Sequence, residues 1–110
     1  MTNAYRFERE CRTPYSEAYV IYRDDERAGR VDLHFTPSVV YATLCLDEAV
    51  SDEQVAEYIE TVDEELVMSS QSSREDFVVT VYRGKELGIY SDEDFEEEER
   101  ENGSHLEESP

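Results

Sequence analysis

Hydrophobic and polar residues alternate along the first half of the chain with the period of two that is typical of β-strands. The alternation is regular over residues 30–36 and 39–46, and a β-prone run within residues 15–23 precedes them. The turn Thr36-Pro37-Ser38 separates the last two segments, and proline fixes the backbone of such a turn. Because successive strands with short connections usually lie side by side, the pattern predicts a three-stranded antiparallel meander.

The period changes at the segment Ser51-Asp52-Glu53-Gln54, which has the form of a helix capping box. In this motif the Ser51 side chain accepts a hydrogen bond from the Gln54 backbone, and the Gln54 side chain bonds back to the Ser51 backbone. Val50 and Val55 occupy the positions of a hydrophobic staple. The apolar stripe that follows is Val55, Ile59, Val62 and Leu66. These signals predict an amphipathic helix that packs its apolar side on the sheet.

A second β-prone segment, residues 77–82, follows the predicted helix. Gly84-Lys85 suits the two-residue loop of a type II′ hairpin, with glycine at its first position. Such a hairpin places Arg83 opposite Glu86, which is a favourable cross-strand pair. It also returns residues 87–90 as a further antiparallel strand.

The predicted order of elements is β-β-β-α-β-β, which is an α+β domain with an antiparallel sheet of about five strands and one helix on one face. The N-terminal segment also alternates, and it is either an extra strand or an arm. We therefore divide the chain into an N-terminal arm or extra strand at residues 1–14, a single α+β domain at residues 15–91, and an acidic C-terminal tail at residues 92–110.

One helix covers only one face of that sheet, so we expect the other face to be open. Pleat alternation turns a defined set of side chains toward it. The set is His34, Tyr41, Thr43, Cys45, Thr80 and Tyr82. Tyrosine is enriched in interfaces because it buries a large area and tolerates water. The tyrosines of this set, with Tyr19 or Tyr22, should form an aromatic patch, unless the N-terminal segment covers the face through Tyr5 and Phe7.

Acidic residues dominate the composition, since 29 Asp and Glu against 10 Lys and Arg give a formal charge of −19. Residues 92–110 are strongly acidic and almost without apolar residues, so we expect a disordered tail. The scarcity of clustered Lys and Arg disfavours direct binding to nucleic acid or to anionic membranes. No apolar segment has the length of a membrane span or the form of a signal peptide. We expect a cytoplasmic protein.

Two origins of the acidity stay open. An acidic surface with a single lysine, Lys85, is expected of a protein adapted to high salt, while codon bias toward arginine combined with an acidic function gives the same composition. The predicted helix carries seven acids and no base, and like charges four residues apart repel. Its solvent side includes Glu53, Glu57, Glu60 and Glu64. This pattern favours either salt adaptation or a basic partner.

Groups with catalytic or metal-binding chemistry are few. The separations between Cys11, His34, Cys45 and His105 match no zinc motif. Two cysteines in a chain without an evident signal peptide are expected to be reduced thiols. A site that uses His34 with Thr43 or Cys45 lacks the motifs that accompany known nucleophiles and phosphate loops. We therefore expect no cofactor, no metal and no catalytic activity.

The sequence thus favours a small, acidic, non-catalytic interaction or regulatory module. It would bind a protein partner, expected to have a basic surface, through the aromatic sheet face and the acidic helix, and a homodimer through the same sheet face is an additional prediction. The residues expected to bind are His34, Tyr41, Thr43, Tyr82, Glu53, Glu57, Glu60 and Glu64. Two alternatives stay open, a nucleic-acid mimic that inhibits a DNA- or RNA-binding protein and a small hydrolase-like enzyme using His34.

Overall fold

In the computed structural model, which describes residues 4–68 and 75–93, the chain forms one sheet and one helix. The strands are β1 (Tyr5–Thr13), β2 (Ser16–Arg23), β3 (Glu26–Phe35), β4 (Val39–Asp47) and β5 (Asp76–Gly84), and the helix α1 (Asp52–Val62) continues into a π-helical turn (Asp63–Val67). The strand order is β1-β2-β3-β4-β5. The predicted α+β class is confirmed. The predicted acidic tail lies outside the described residues from residue 94 onward.

β1 to β4 form the antiparallel part of the sheet, with short connections between them. The β2–β3 loop consists of Asp24 and Asp25, whose φ angles are 53° and 68°. Aspartate tolerates this left-handed conformation, and two such residues match the twist of hairpin strands. The predicted meander is confirmed, and the N-terminal segment extends it as a strand.

The prediction of a purely antiparallel sheet was wrong, because β5 runs parallel to β4. One continuous register joins Val39 to Asp76 at one end and Asp47 to Gly84 at the other. The chain leaves the end of β4, passes through α1 and starts β5 in the same direction, as in a β-α-β crossover. Alternation along the sequence determines the face that a residue occupies but not the direction of its strand.

The predicted hairpin after β5 was also wrong. Residues 85–90 form no strand. Arg83, expected opposite Glu86, instead contacts Asp52 at the start of α1, and Glu86 contacts Arg27 of β3. Arg83 and Glu86 therefore each pair with an opposite charge on another element, and the Arg83–Glu86 pair that favoured the hairpin does not form.

The start of α1 is built as the sequence predicted. The Ser51 hydroxyl accepts a hydrogen bond from the Gln54 amide at 3.3 Å, and the Gln54 side chain accepts one from the Ser51 amide at 2.9 Å. The predicted apolar stripe packs on the sheet. Val62 and Leu66 are buried, and Val55 and Ile59 are half-buried. The capping box and the stripe are both confirmed.

The largest fully buried side chain is Tyr58, which the apolar stripe did not include. Its ring lies edge-on to Tyr5 of β1, with the centroids 5.3 Å apart. Tyr58 lies about one turn from both Val55 and Val62, so it belongs to the same helix face. The opposing side of the core comes from alternate residues of β2 to β4, which are Ile21, Val31, Leu33, Val40, Ala42, Leu44 and Leu46.

Candidate functional site

The open face predicted from the sequence lies opposite α1, and none of the described helices or strands covers it. Val40, Ala42 and Leu44 of β4 are buried beneath the helix, so the residues between them point the other way. The four sheet residues expected to bind lie on this face, and they are His34, Tyr41, Thr43 and Tyr82.

The half of the open face formed by β4 and β5 carries no charged side chain between its first and last rows. Three cross-strand pairs make up this area, which we call the neutral face: Tyr41–Val78, Thr43–Thr80 and Cys45–Tyr82. Tyr41, Val78 and Tyr82 are 46%, 40% and 59% exposed. In a chain in which 35% of residues are charged, an exposed neutral area of this kind is a candidate contact surface.

The half of the open face formed by β1 to β3 is charged, and its charges are paired. Arg30 lies 3.2 Å from Glu10 of β1 and 3.2 Å from Asp32. Burial disfavours the charged form of Arg30, but the hydrogen bonds and attraction of Asp32 and Glu10 outweigh it and raise the Arg30 pKa. The boundary between the two halves therefore runs between β3 and β4.

The expected aromatic patch is divided. Tyr41 and Tyr82 share the neutral face, but their rows are four residues apart along β4, or about 13 Å. The Tyr22 ring is covered by the Arg6 guanidinium, 4.2 Å from the ring centroid. Tyr19 packs on the helix side of the sheet. The tyrosines therefore form separate contact points.

β1 does not cover the open face, because it joins the sheet as an edge strand. Tyr5 and Phe7 point toward α1 and pack against the core. The Phe7 and Tyr19 ring centroids are 6.4 Å apart on that side. Burial raises the pKa of the Tyr5 phenol, whose oxygen has no hydrogen-bond partner within the described chain.

The acidic residues of the helix lie on the opposite side of the molecule from the open face. The exposed glutamates that were expected to bind are Glu53, Glu57, Glu60 and Glu64. A layer of helix and a layer of sheet separate them from the neutral face. The two surfaces expected from the sequence, the sheet face and the acidic helix, therefore lie on opposite sides, and one flat partner cannot contact both.

β5 is the last strand of the sheet, and no described strand pairs with its outer side. Its central residues, Phe77 to Tyr82, include no charge, proline or glycine. Phe77, Val79 and Val81 are only half-buried beneath the helix, so apolar surface remains exposed at this edge. Edge strands usually carry charges, prolines or bulges that prevent pairing with other chains, and the centre of β5 carries none of these. The segment after β5 exposes three more apolar side chains, Leu87 at 94%, Ile89 at 82% and Tyr90 at 66%.

A groove of 520 Å³ lies where β3 begins and β4 and β5 end. Four of the ten basic residues of the chain line it, and they are Arg27, Arg30, Arg83 and Lys85. The three arginines contact the chain's own carboxylates. The pairs are Arg27–Glu86 at 3.1 Å, Arg30–Asp32 at 3.2 Å and Arg83–Asp52 at 2.6 Å. Gly29 is required in its wall, because a Cβ there would collide with the Cys45 carbonyl oxygen. Since internal carboxylates neutralise the arginines, we do not assign the groove to an anion.

His34 is exposed on an open surface rather than enclosed in a cleft. It pairs with Tyr41, and Thr43 and Cys45 lie two and four residues further along β4, at about 7 and 13 Å. General acid or base catalysis requires hydrogen-bond reach and a site that limits water. No group of three His, Cys, Asp or Glu side chains within residues 4–68 and 75–93 could hold a metal, and His105 lies outside that range.

The edge of β5 is the feature that the sequence did not reveal. Val78 and Thr80 were not among the residues expected to bind. The uncharged run was visible in the sequence, but the strand predicted at residues 87–90 would have paired with β5 and covered this edge. Once that strand is absent, the run becomes an exposed edge.

Comparison with models of protein families, with curated proteins and with solved structures found no match for this chain. No helix in the described part of the chain is both long and apolar enough to cross a membrane. The functional inference therefore depends on the geometry of the chain's own surfaces.

Proposed function

We propose that this protein is a non-catalytic interaction module that binds an extended segment of a partner protein along the outer edge of β5. The observation that carries the proposal is the uncharged edge of β5 beside the neutral face. An extended segment would add to the sheet as a further strand, held by backbone hydrogen bonds. Its side chains would point alternately toward the open side and the helix side of the sheet.

The neutral face supports the proposal because it offers a contact area next to the edge. An added strand lies about 4.8 Å from β5, so its outward side chains reach Val78, Thr80 and Tyr82. Covering apolar surface contributes about 25 cal/mol per Å², and half-exposed tyrosine rings supply such surface without a large loss of side-chain entropy. The backbone would provide affinity, and the neutral face would select among side chains.

The charge of the chain defines the partner that we propose. A formal charge of −19 attracts a basic surface over long distances and speeds the first encounter. The contact area itself is neutral, so the complex, once formed, should depend only weakly on salt. The association rate should fall with salt much more than the dissociation rate changes.

Selection of peptides of about ten residues, the length of one long strand, from a displayed random library tests the proposal. The full-length chain is the bait. Thr80→Lys places a charge at the centre of the β5 edge, and Glu8→Lys places the same charge on the exposed side of β1 as a matched control. We expect Thr80→Lys to weaken the binding of the selected peptides at least about tenfold, and Glu8→Lys to change their affinity less than about twofold. Titration calorimetry measures both affinities.

Equal affinity of the wild type and a folded Thr80→Lys variant would contradict the proposal, because binding would then use another surface. Circular dichroism of each variant establishes that it is folded. Dissociation rates measured at about 0.1 and about 1 M NaCl separate a neutral contact from an ionic one, because screening of exposed charge pairs would speed the dissociation of an ionic complex and leave that of a neutral one nearly unchanged.

One observation on the other side of the molecule favours a second candidate function, a nucleic-acid mimic. Glu53, Glu57, Glu60 and Glu64 are exposed at positions i, i+4, i+7 and i+11, so they follow one helix face with a rise of about 4.5–6 Å from each to the next. A basic DNA-binding domain labelled for fluorescence tests it. We expect the chain to displace duplex DNA at low salt, and Glu57→Gln with Glu60→Gln to reduce displacement; an unchanged double variant would count against the mimic.

A further inference from the structure

Among the described residues 75–85, charged residues occur only at the two ends of β5, and the two ends have opposite signs. Glu75 and Asp76 lie at its start, and Arg83 and Lys85 lie at its end. Neither Glu75 nor Lys85 forms an ion pair with another described residue. Arg83 already pairs with Asp52 of its own chain, so the complementarity rests on the other two charges. A strand of this kind is complementary to an antiparallel copy of itself, because Glu75 of each copy faces Lys85 of the other.

We infer that the outer edge of β5 binds the β5 edge of a second copy of this chain, antiparallel and about a two-fold axis perpendicular to the sheet. The inference rests on the proposed function, since it names one partner for the same edge. The two sheets would join into one, with both helices on the same side. The two neutral faces would form one continuous surface on the other side.

The side chains along β5 also match in this arrangement. With the axis at Thr80, which then lies opposite Thr80 of the second copy, helix-side residues of one copy lie beside helix-side residues of the other, and open-side residues lie beside open-side residues. The helix-side set is Phe77, Val79 and Val81, and the open-side set is Val78, Thr80 and Tyr82. The second copy would cover the apolar surface that α1 leaves exposed at this edge.

The path of α1 leaves space for the second copy. Asp52, the first residue of α1, contacts Arg83 near the end of β5. Tyr58, further along the helix, contacts Tyr5 of β1 at the opposite edge of the sheet. The helix therefore crosses the sheet away from the centre of the β5 edge, so among the described residues α1 does not block the approach to Thr80.

The net charge gives this dimer an unusual salt dependence. Two copies of formal charge −19 repel each other, and the repulsion extends over about 10 Å at 0.1 M salt but only about 3 Å at 1 M. High salt also screens the two Glu75–Lys85 pairs, but exposed pairs contribute only about 0–1 kcal/mol each. The rest of the edge contact consists of backbone hydrogen bonds and apolar side chains, which salt does not weaken. The dimer should therefore tighten as salt increases, whereas a complex with a basic partner forms fastest at low salt.

Sedimentation velocity of the full chain at about 0.1 and about 1 M NaCl tests the inference. We expect the wild type to dimerise at the higher concentration. Thr80→Lys and Thr80→Glu should each weaken the dimer at least about tenfold, because like charges then face each other across the axis. An equal mixture of the two variants should recover a heterodimer, and Glu8→Lys on β1 should dimerise like the wild type.

A wild-type chain that stays monomeric at every salt and protein concentration would overturn the inference. If the selected peptides still bind in a Thr80-dependent way, the proposed function stands and only the identity of this partner is wrong. A dimer that forms equally well with Thr80→Lys would also overturn it, because another surface would then hold the copies together. If the chain is monomeric and the amides of β5 are already protected from exchange, a segment of the same chain occupies the edge. That result would also overturn the inference.

Discussion

The two edges of the sheet present very different surfaces to another chain. β1 carries charges at five of its nine residues and a register shift between Arg9 and Cys11, both of which discourage pairing. β5 has no charge between Phe77 and Tyr82 and runs in continuous register with β4. The chain therefore protects one edge and leaves the other available, a distinction that the overall charge conceals.

The open face shows the same asymmetry. Its charged half belongs to β1 to β3, where Arg30 pairs with Glu10 and Asp32, and its neutral half belongs to β4 and β5. The unprotected edge and the neutral face consequently belong to the same half of the sheet, the half formed by β4 and β5. Position, rather than the number of apolar residues, makes this region the candidate for binding.

The largest effect that we predict concerns the attachment of β1 to the core. Tyr58→Ala removes the ring that packs edge-on against Tyr5, and loss of a buried aromatic ring costs about 3–5 kcal/mol. We expect the free energy of unfolding in urea to fall by that amount, and β1 to lose amide protection before β5. Tyr58→Phe keeps the ring and should cost less than about 1.5 kcal/mol. Equal losses for the two variants would show that the ring does not anchor β1.

A smaller loss of stability is expected when one arginine in each edge strand is replaced. Arg83 donates to the Asp52 carboxylate at 2.6 Å and to the Val50 carbonyl at 3.1 Å, which links β5 to α1. Arg12 of β1 lies 3.7 Å from Glu17. We expect Arg83→Met to lower the free energy of unfolding by about 1 kcal/mol and Arg12→Met by less than about 0.5 kcal/mol, because both pairs are partly exposed. A larger loss at Arg12 would reverse the comparison.

The smallest predicted effect concerns Tyr5, and it appears only in alkaline solution. Desolvation raises the pKa of its phenol above the ordinary value of 10.0, so the unfolded chain ionises first as pH rises. Stability should be unaffected well below pH 10 and should decrease above it, until the folded phenol also ionises. Tyr5→Phe should remove this decrease and change stability at pH 7 by no more than about 1 kcal/mol, measured by urea unfolding across the pH range. An equal alkaline loss in Tyr5→Phe would assign it to another group, such as Tyr19, whose pKa burial also raises.

The sequence predicted the features that depend on neighbours along the chain. Alternation in β3 and β4 identified the two faces of the sheet, because a half-buried strand requires a period of two. The pair Ser51 and Gln54 identified the start of α1, because its hydrogen bonds span only three residues. The residues of the open face followed from the same local rule.

Features that depend on distant pairs could not be predicted in this way. The parallel direction of β5 follows from the crossover through α1, and the absence of a strand at residues 87–90 follows from where Arg83 and Glu86 find their partners. The contact of Arg30 with Glu10 joins strands that are not adjacent. The neutral face and the exposed edge both result from such long-range choices, so they became visible only in the folded chain.

Site-resolved amide hydrogen exchange of the wild-type chain, with and without a saturating amount of a library-selected peptide, tests most directly whether β5 is the binding edge. We predict that the bound peptide slows exchange between Val78 and Tyr82 and leaves β1 unchanged, because a new strand would protect outward amides of β5 alone. Slower exchange in β1 or α1, with no change in β5, would contradict the central claim.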